Sequence, residues 1–165
     1  MTTYLDANLY HDLTNGRSVT GILHMWNGTV VDTYSKLQST VETATFGSEA
    51  IATKTAVEQI IDLRNTARWL GVPVEDSVVV FGDNESVVNT CSIPHHKLKK
   101  RHNALAFHKV RDSVAAKIIR YYHIEGKSNP ADILSKHWDM ASIWETLKPF
   151  MFWKYGLQTA PDDKD

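Results

Sequence analysis

The sequence has almost no cysteine: Cys91 stands alone, which excludes any internal disulfide. It has no N-terminal stretch patterned as a secretory signal and no apolar run long enough to span a bilayer, so an intracellular, soluble chain is expected. Nor is there an excess of charge of either sign. A net charge of −1 and a pI near 6.7 exclude a generally basic nucleic-acid binder, and any such role needs a local basic patch offset by acids elsewhere. What is present suits one folded domain, since 165 residues with 42% hydrophobic and 22% charged content are enough to bury a core. Residues 1–155 are expected to form that domain and residues 156–165 a disordered C-terminal tail.

The most informative stretch is Val78-Val79-Val80-Phe81-Gly82-Asp83-Asn84-Glu85-Ser86. Consecutive β-branched residues suit a strand covered on both faces, and the end of such a strand is where open α/β sheets place ligands. Asp83 alone would serve equally well as a helix N-cap. Upstream, Met1 to Asn8 reads as a short strand with Asp6 at or near its middle, a position where Asp is disfavoured. Ser18–Trp26 and Val30–Ser35, split by Asn27-Gly28, read as a hairpin, which gives three antiparallel strands in a meander. Because Met1 to Leu5 alone precede Asp6, the chain is expected to be a piece of a longer polypeptide, with that first strand weakly anchored.

A long helix is expected from about Thr45 to Leu70, with Ala52, Ala56, Ile60, Leu63, Ala67 and Leu70 on one core-facing stripe. Glu49 falls on that stripe, whereas Glu58 and Asp62 fall on the solvated side. A second long helix is expected over Lys99–Lys117, carrying Phe107, Val110 and Val114 inward. His95 to His102, with Lys97, Lys99, Lys100 and Arg101, is the densest basic stretch; such a run is ordinarily a solvated face, and here it is also a candidate nucleic-acid contact. Ile118–Ile124 reads as a strand. Asn129-Pro130-Ala131-Asp132 reads as an N-cap, a first-turn proline and a first-turn acid. Met140, Ile143, Trp144 and Leu147 repeat at helical spacing, and with Phe150, Phe152 and Trp153 they are expected to join the core.

Four acids, Asp6, Glu49, Asp83 and Asp132, therefore arrive from a strand, a helix start, a strand end and another helix start. Carboxylates grouped without cysteine or organised histidine suit hard cations such as Mg²⁺ or Mn²⁺. Two such ions can activate water on one side of a phosphodiester and stabilise the leaving oxygen on the other. A zinc site from Cys91, His95, His96 and His102 matches no standard spacing.

In the order Tyr4-Leu5-Asp6-Ala7, Gly16-Arg17-Ser18-Val19-Thr20-Gly21, Ser48-Glu49-Ala50, Gly82-Asp83-Asn84-Glu85-Ser86 and Asn129-Pro130-Ala131-Asp132-Ile133-Leu134-Ser135-Lys136, the chain resembles the ribonuclease H domain of copia-type retrotransposon polyproteins, from Tyr4 to about Trp153. The resemblance implies an α/β fold: a five-stranded mixed sheet, three antiparallel strands then two parallel, flanked by helices. It implies a hydrolase that cuts the RNA strand of RNA·DNA hybrids with two Mg²⁺, for which Mn²⁺ can substitute, and leaves a 5′-phosphate. By position, Asp6, Glu49, Asp83 and Asp132 become the metal ligands. Glu42 is the rival to Glu49, and counting on from Gln38 favours Glu49. Asn84, Lys97, Lys99, Lys100 and Arg101 become the expected nucleic-acid contacts, a reverse transcriptase domain upstream the expected partner, and the cytoplasm, a virus-like particle or the nucleus the expected setting. Two departures stand out. Glu125–Ser128 holds no histidine of the kind found in cellular enzymes, with His123 still in the strand, and Ala50 replaces the usual aromatic. Alternatives are a silent domain of a decayed element that binds nucleic acid or a polymerase partner, and an integrase-like nuclease, which would want three acids differently spaced.

Overall fold

A computed structural model describes residues 1–98 and 101–150. The first half is a run of strands: β1 (Thr2–Asp12), β2 (Arg17–Trp26) and β3 (Thr29–Leu37) form the antiparallel meander, with Asn27-Gly28 as the two-residue turn between β2 and β3. After α1 (Thr45–Trp69), β4 (Val78–Gly82) joins β1 in parallel. Then follow α2 (Glu85–Ser92), α3 (Ala104–Ala115), β5 (Ile119–His123) parallel to β4, the single turn α4 (Asp132–Ser135) and α5 (Met140–Leu147). The sheet order is β3-β2-β1-β4-β5, the five-stranded mixed sheet expected. Among the described residues no helix is long and apolar enough to cross a membrane.

β1 is the central strand and its two faces have different duties. Leu5 and Ala7 join Ile22 of β2, Ala52, Ala56, Val57 and Ile60 of α1, and Val80 of β4 in the core. By alternation Asp6 points to the opposite face, paired with Gly21 across the β1–β2 ladder. The chain's start does not leave Asp6 on a fraying end. Thr2 is paired with both Met25 and Val79, and Val79 N–H donates to the Met1 carbonyl, so an 11-residue strand is bracketed on each side.

Four expectations change, the first being that Trp144 of α5, expected in the core, is 39% exposed. The α1 stripe holds from Ala52 to Ala67, but Leu70 lies past the last helical turn and is 70% exposed. The helix expected over Lys99–Lys117 is shorter: Arg101–Asn103 is a 3₁₀ turn and α3 begins only at Ala104, so Lys97 and Arg101 sit in the connection ahead of it. Asn129 is not the residue that caps α4, which starts at Asp132 after Ala131. Phe152, Trp153 and residues 156–165 lie outside the described residues, as do Lys99 and Lys100.

On the α1 face, His24 is fully buried between Thr3, whose hydroxyl is 2.9 Å from Nδ1, and Gln59, whose Oε1 is 3.1 Å from Nε2. Burial pushes its pKa below the ordinary 6.5, against the opposing effect of Gln59. Folded protein therefore binds this proton less readily than unfolded chain, so the stabilisation is present above pH 6.5 and is lost on acidification below it. In His24→Gln the fall in Tm between about pH 6.5 and 5 is expected to be shallower than in the parent, read by thermal melts across that window.

Candidate metal centre

The parallel pairing of β1 with β4 sets Leu5 opposite Gly82, so Asp6 and Asp83, one residue beyond that pair on each strand, emerge side by side at one end of the sheet. Gly82 is required there by close packing: a Cβ on it would fall 2.6 Å from the Tyr121 hydroxyl, which is itself tied to Thr53 Oγ1 at 3.0 Å. Asn84, not Asp83, caps α2, its Oδ1 accepting from Val87 N–H at 3.2 Å. Asp83 is thereby released from the capping role that its sequence position allowed.

Asp132 reaches the same end from the far side of the chain. Asn129 Nδ2 donates to the Leu5 carbonyl at 2.8 Å and its Oδ1 accepts from Ala131 N–H at 3.1 Å, which clamps the segment before α4 onto β1. Gly21 makes room for it, since a Cβ there would lie 2.7 Å from the Ala131 carbonyl oxygen. The outcome is a set in which Asp6, Asp83 and Asp132 each offer a carboxylate oxygen within 4.8 Å of the others.

Glu49 comes from the opposite face. Its Oε1 accepts from Ala7 N–H at 3.0 Å, and Oε2, fully buried, has no hydrogen-bond donor among the described residues. With Asp6, Asp83, Asn8, Thr45, Asn84 and Lys136 it lines a cavity of about 460 Å³. A bare, buried carboxylate oxygen beside three converging acids fits a hard cation, which would accept all four as oxygen ligands.

Electrostatics agree. Burial is the main cause that lifts Asp6 from 3.8 to about 6; Asp132 and Asp83 add to the rise, while the Ser135 hydroxyl and Lys136 oppose it. Burial, then the charges of Asp6 and Asp83, push Glu49 well above the usual carboxylate range. Lys136, four residues after Asp132, donates from Nζ to Asp132 Oδ1 and stands 3.8 Å from Asp6 Oδ2; Ser135 Oγ donates to Asp6 Oδ2. Burial disfavours the charge on Lys136, but its bond to Asp132 and the carboxylates around it hold its pKa above the ordinary lysine value. The sequence pattern places Lys136 in a motif without giving it a role, although an acid-to-lysine spacing of four on one helical turn is the available signal.

Glu42 is buried too, but away from this cavity, with His102 Nε2 donating to its Oε2 at 3.2 Å. Cys91 lies in the core with its thiol pushed up to about 12 by burial, and among the described residues it joins no group of metal-ligating side chains. His123 ends β5 and donates from Nε2 to the Asp83 carbonyl at 3.0 Å, so it braces the backbone of that acid. Lys97 and Arg101 are exposed, and Asn84 lines the acid cavity as well as a neighbouring one of about 450 Å³ that Lys97 also lines.

No protein-family model matches the chain. Over 133 residues it is 29% identical to the retrovirus-related Pol polyprotein from transposon TNT 1-94 of Nicotiana tabacum; this covers 81% of the chain but only 10% of that polyprotein. Among solved structures, LC11-RNase H1 in complex with an RNA/DNA hybrid superposes with a TM-score of 0.62 at 21% identity, over 81% of this chain and 92% of that one. The fold is that of ribonuclease H. A foamy viral protease-reverse transcriptase in complex with an RNA/DNA hybrid superposes over 75% of this chain and 17% of its own length, with a TM-score of 0.56 at 14% identity. The resemblance to ribonuclease H domains of retroelement polyproteins thus holds in sequence and in fold.

At the acid end of this ribonuclease H fold, Asp6 keeps its proton to about pH 6 in the folded state but loses it near 3.8 when unfolded. Folded protein binds more protons in that window, so the stabilisation present below it is lost as pH rises through it. In the absence of divalent metal, Asp6→Asn is expected to gain Tm relative to the parent progressively from pH 4 to pH 7. Added Mg²⁺ is expected to raise the parent's Tm more than the variant's.

Proposed function

We propose that this chain is a divalent-metal-dependent endonuclease that hydrolyses the RNA strand of RNA·DNA hybrids during retrotransposon reverse transcription. The observation that carries the reading is the approach of Asp6, Asp83 and Asp132 to within 4.8 Å of one another beside the bare Oε2 of Glu49, at the sheet end where a substrate can reach them. Asp6, Glu49, Asp83 and Asp132 are the metal ligands and catalytic residues. When bound, two Mg²⁺, or Mn²⁺ in their place, would supply charge neutralisation at the scissile phosphate and an activated water for in-line attack. The chain's own contribution is to hold four carboxylates in fixed positions, through the Ala7 amide, the Ser135 hydroxyl and the Asn129 clamp.

Asn84 and the basic residues Lys97, Lys99, Lys100 and Arg101 contact the hybrid, the lysines and Arg101 mainly through phosphates, and selectivity for RNA comes from 2′-hydroxyls across the minor groove. The matched relative is a Pol polyprotein about ten times the matched length of this chain, which supports a reverse transcriptase domain upstream as the working partner.

Asp83→Asn keeps side-chain shape and removes the ligand charge. Cleavage of hybrid is expected to fall by more than about 100-fold, beyond the cost of losing a group that only supports a metal ligand, with Tm unchanged or raised. If Asp83→Asn cuts as fast as the parent, the metal assignment is wrong. Replacing Lys97, Lys99, Lys100 and Arg101 with Glu should weaken hybrid binding and flatten its salt dependence by about 0.9 in log–log slope for each phosphate no longer neutralised. An unchanged slope would return the stretch to an inert solvated face.

A further inference from the structure

The basic connection between α2 and α3 would be expected, from its exposure and composition, to be a loose loop. Its backbone and flanks are instead fastened at three places. Arg111 of α3 spreads its guanidinium over three carbonyls, donating to Thr90 at 3.5 Å, to His96 at 2.9 Å and to Pro94, and it is itself seated 5.1 Å from the centre of the buried Phe107 ring. Leu98 packs against the hydrophobic core. His102 donates to Glu42 Oε2 at 3.2 Å, and Glu42, 5% exposed, is seated against the first turn of α1 at Gly47. Asn103 is buried beside it at 3% exposure.

Anchors and charges alternate along this segment. Lys97 stands between the held His96 carbonyl and the core-packed Leu98, and Arg101 stands immediately before His102 and Asn103. His96 and Lys97 form one wall of the cavity of about 450 Å³ whose other walls are Thr45 and Phe46 of α1 and Asn84, Ser86, Asn89 and Thr90 in and before α2. Thr45 and Asn84 also line the acid cavity, so the two spaces adjoin.

We infer that Arg111 and the Glu42–His102 pair are positioning residues that hold the backbone on either side of Lys97 and Arg101 as preformed parts of a wall beside the acid site, so that a hybrid binds without having to order those two side chains' supports. The inference rests on the reading of that segment as the hybrid-contacting face. Among the described residues, neither tether is hydrogen-bonded to Asp6, Glu49, Asp83 or Asp132. Their effect is on where Lys97 and Arg101 stand, and binding is tighter when that cost has been met in folding.

The experiment uses the full chain, a fluorescent RNA·DNA hybrid and EDTA to prevent cleavage, with Kd read over a salt series. Arg111→Lys keeps the charge and loses the three-carbonyl fork; Glu42→Gln and, as a second approach to the same contact, His102→Gln weaken the other tether. Each is expected to weaken hybrid binding by about 5- to 10-fold, the cost of ordering one or two long side chains. The log–log salt slope should stay that of the parent, because the same phosphates are still neutralised. Amide exchange over residues 94–103 should be faster in the free variants, and Mn²⁺ binding by calorimetry should match the parent.

Affinity within twofold of the parent in Arg111→Lys and in a folded variant of the Glu42–His102 pair, or unchanged amide exchange, would overturn the inference. The fourfold charge reversal run in parallel separates the two failures. If it weakens binding while the tether variants do not, the tethers are irrelevant; if it too has no effect, the contact face itself is misassigned.

Discussion

Carboxylates drawn out of water and set beside one another repel, and the elements at one end of this sheet are arranged around that cost. Asp6 and Glu49 are 2% and 3% exposed, and both are lifted above ordinary carboxylate pKa values. Single hydrogen bonds from Ala7 N–H and Ser135 Oγ, and one ammonium from Lys136, offset only part of the repulsion. A domain seeking stability alone would gain by replacing these acids with neutral groups. Their joint presence makes physical sense where a cation completes the site.

The rest of the fold supplies the geometry for that crowding. A parallel β1–β4 pair delivers two acids to one edge, α1 brings a third across the central strand, and α4 brings the fourth from the other face. Two glycines are the spacers. Gly82 leaves the room that Tyr121 fills, and Gly21 leaves the room through which the Ala131 backbone approaches. Alanine at Gly21 would press on the Ala131 backbone, and alanine at Gly82 would press on the Tyr121 ring, so both positions bear on where the acids stand.

Much of this is legible in the chain because the chemistry runs against local preference. An aspartate inside a strand at Asp6, a glutamate on an apolar helical stripe at Glu49 and an acid ending a Val-rich run at Asp83 each violate a local rule, and such violations mark function. Element types are readable for a simpler reason, since the Asn27-Gly28 turn marks the hairpin of β2 and β3 and the Ala52, Ala56, Ile60, Ala67 spacing marks α1. What is not readable depends on contacts between distant residues. Sequence places the start of α3 too early because Lys and Arg are good helix formers, while the tertiary ties of Arg111, Leu98 and His102 impose another path. Asn129 reads as a cap because nothing local announces that its side chain reaches Leu5. Lys136 escapes notice because a lysine four residues from an acid is ordinary on any helix surface, and only the sheet edge beneath it makes it part of the cavity.

The Asn129 clamp also orders events in time. It joins residues 124 positions apart, and the Ser135–Asp6 bond joins residues 129 apart, so both ends of the domain must exist before the cluster is whole. Contacts of such separation close slowly, because the loop entropy is lost before they return any stabilisation. On a ribosome the meander and α1 emerge first and can pair among themselves, leaving Asp6 and Glu49 in place with half of their company. The fourth carboxylate arrives only when the segment around Asp132 has left the exit tunnel and docked on β1. An incomplete chain thus carries a sheet without a centre, and the centre comes into being in one late step that also locks the central strand.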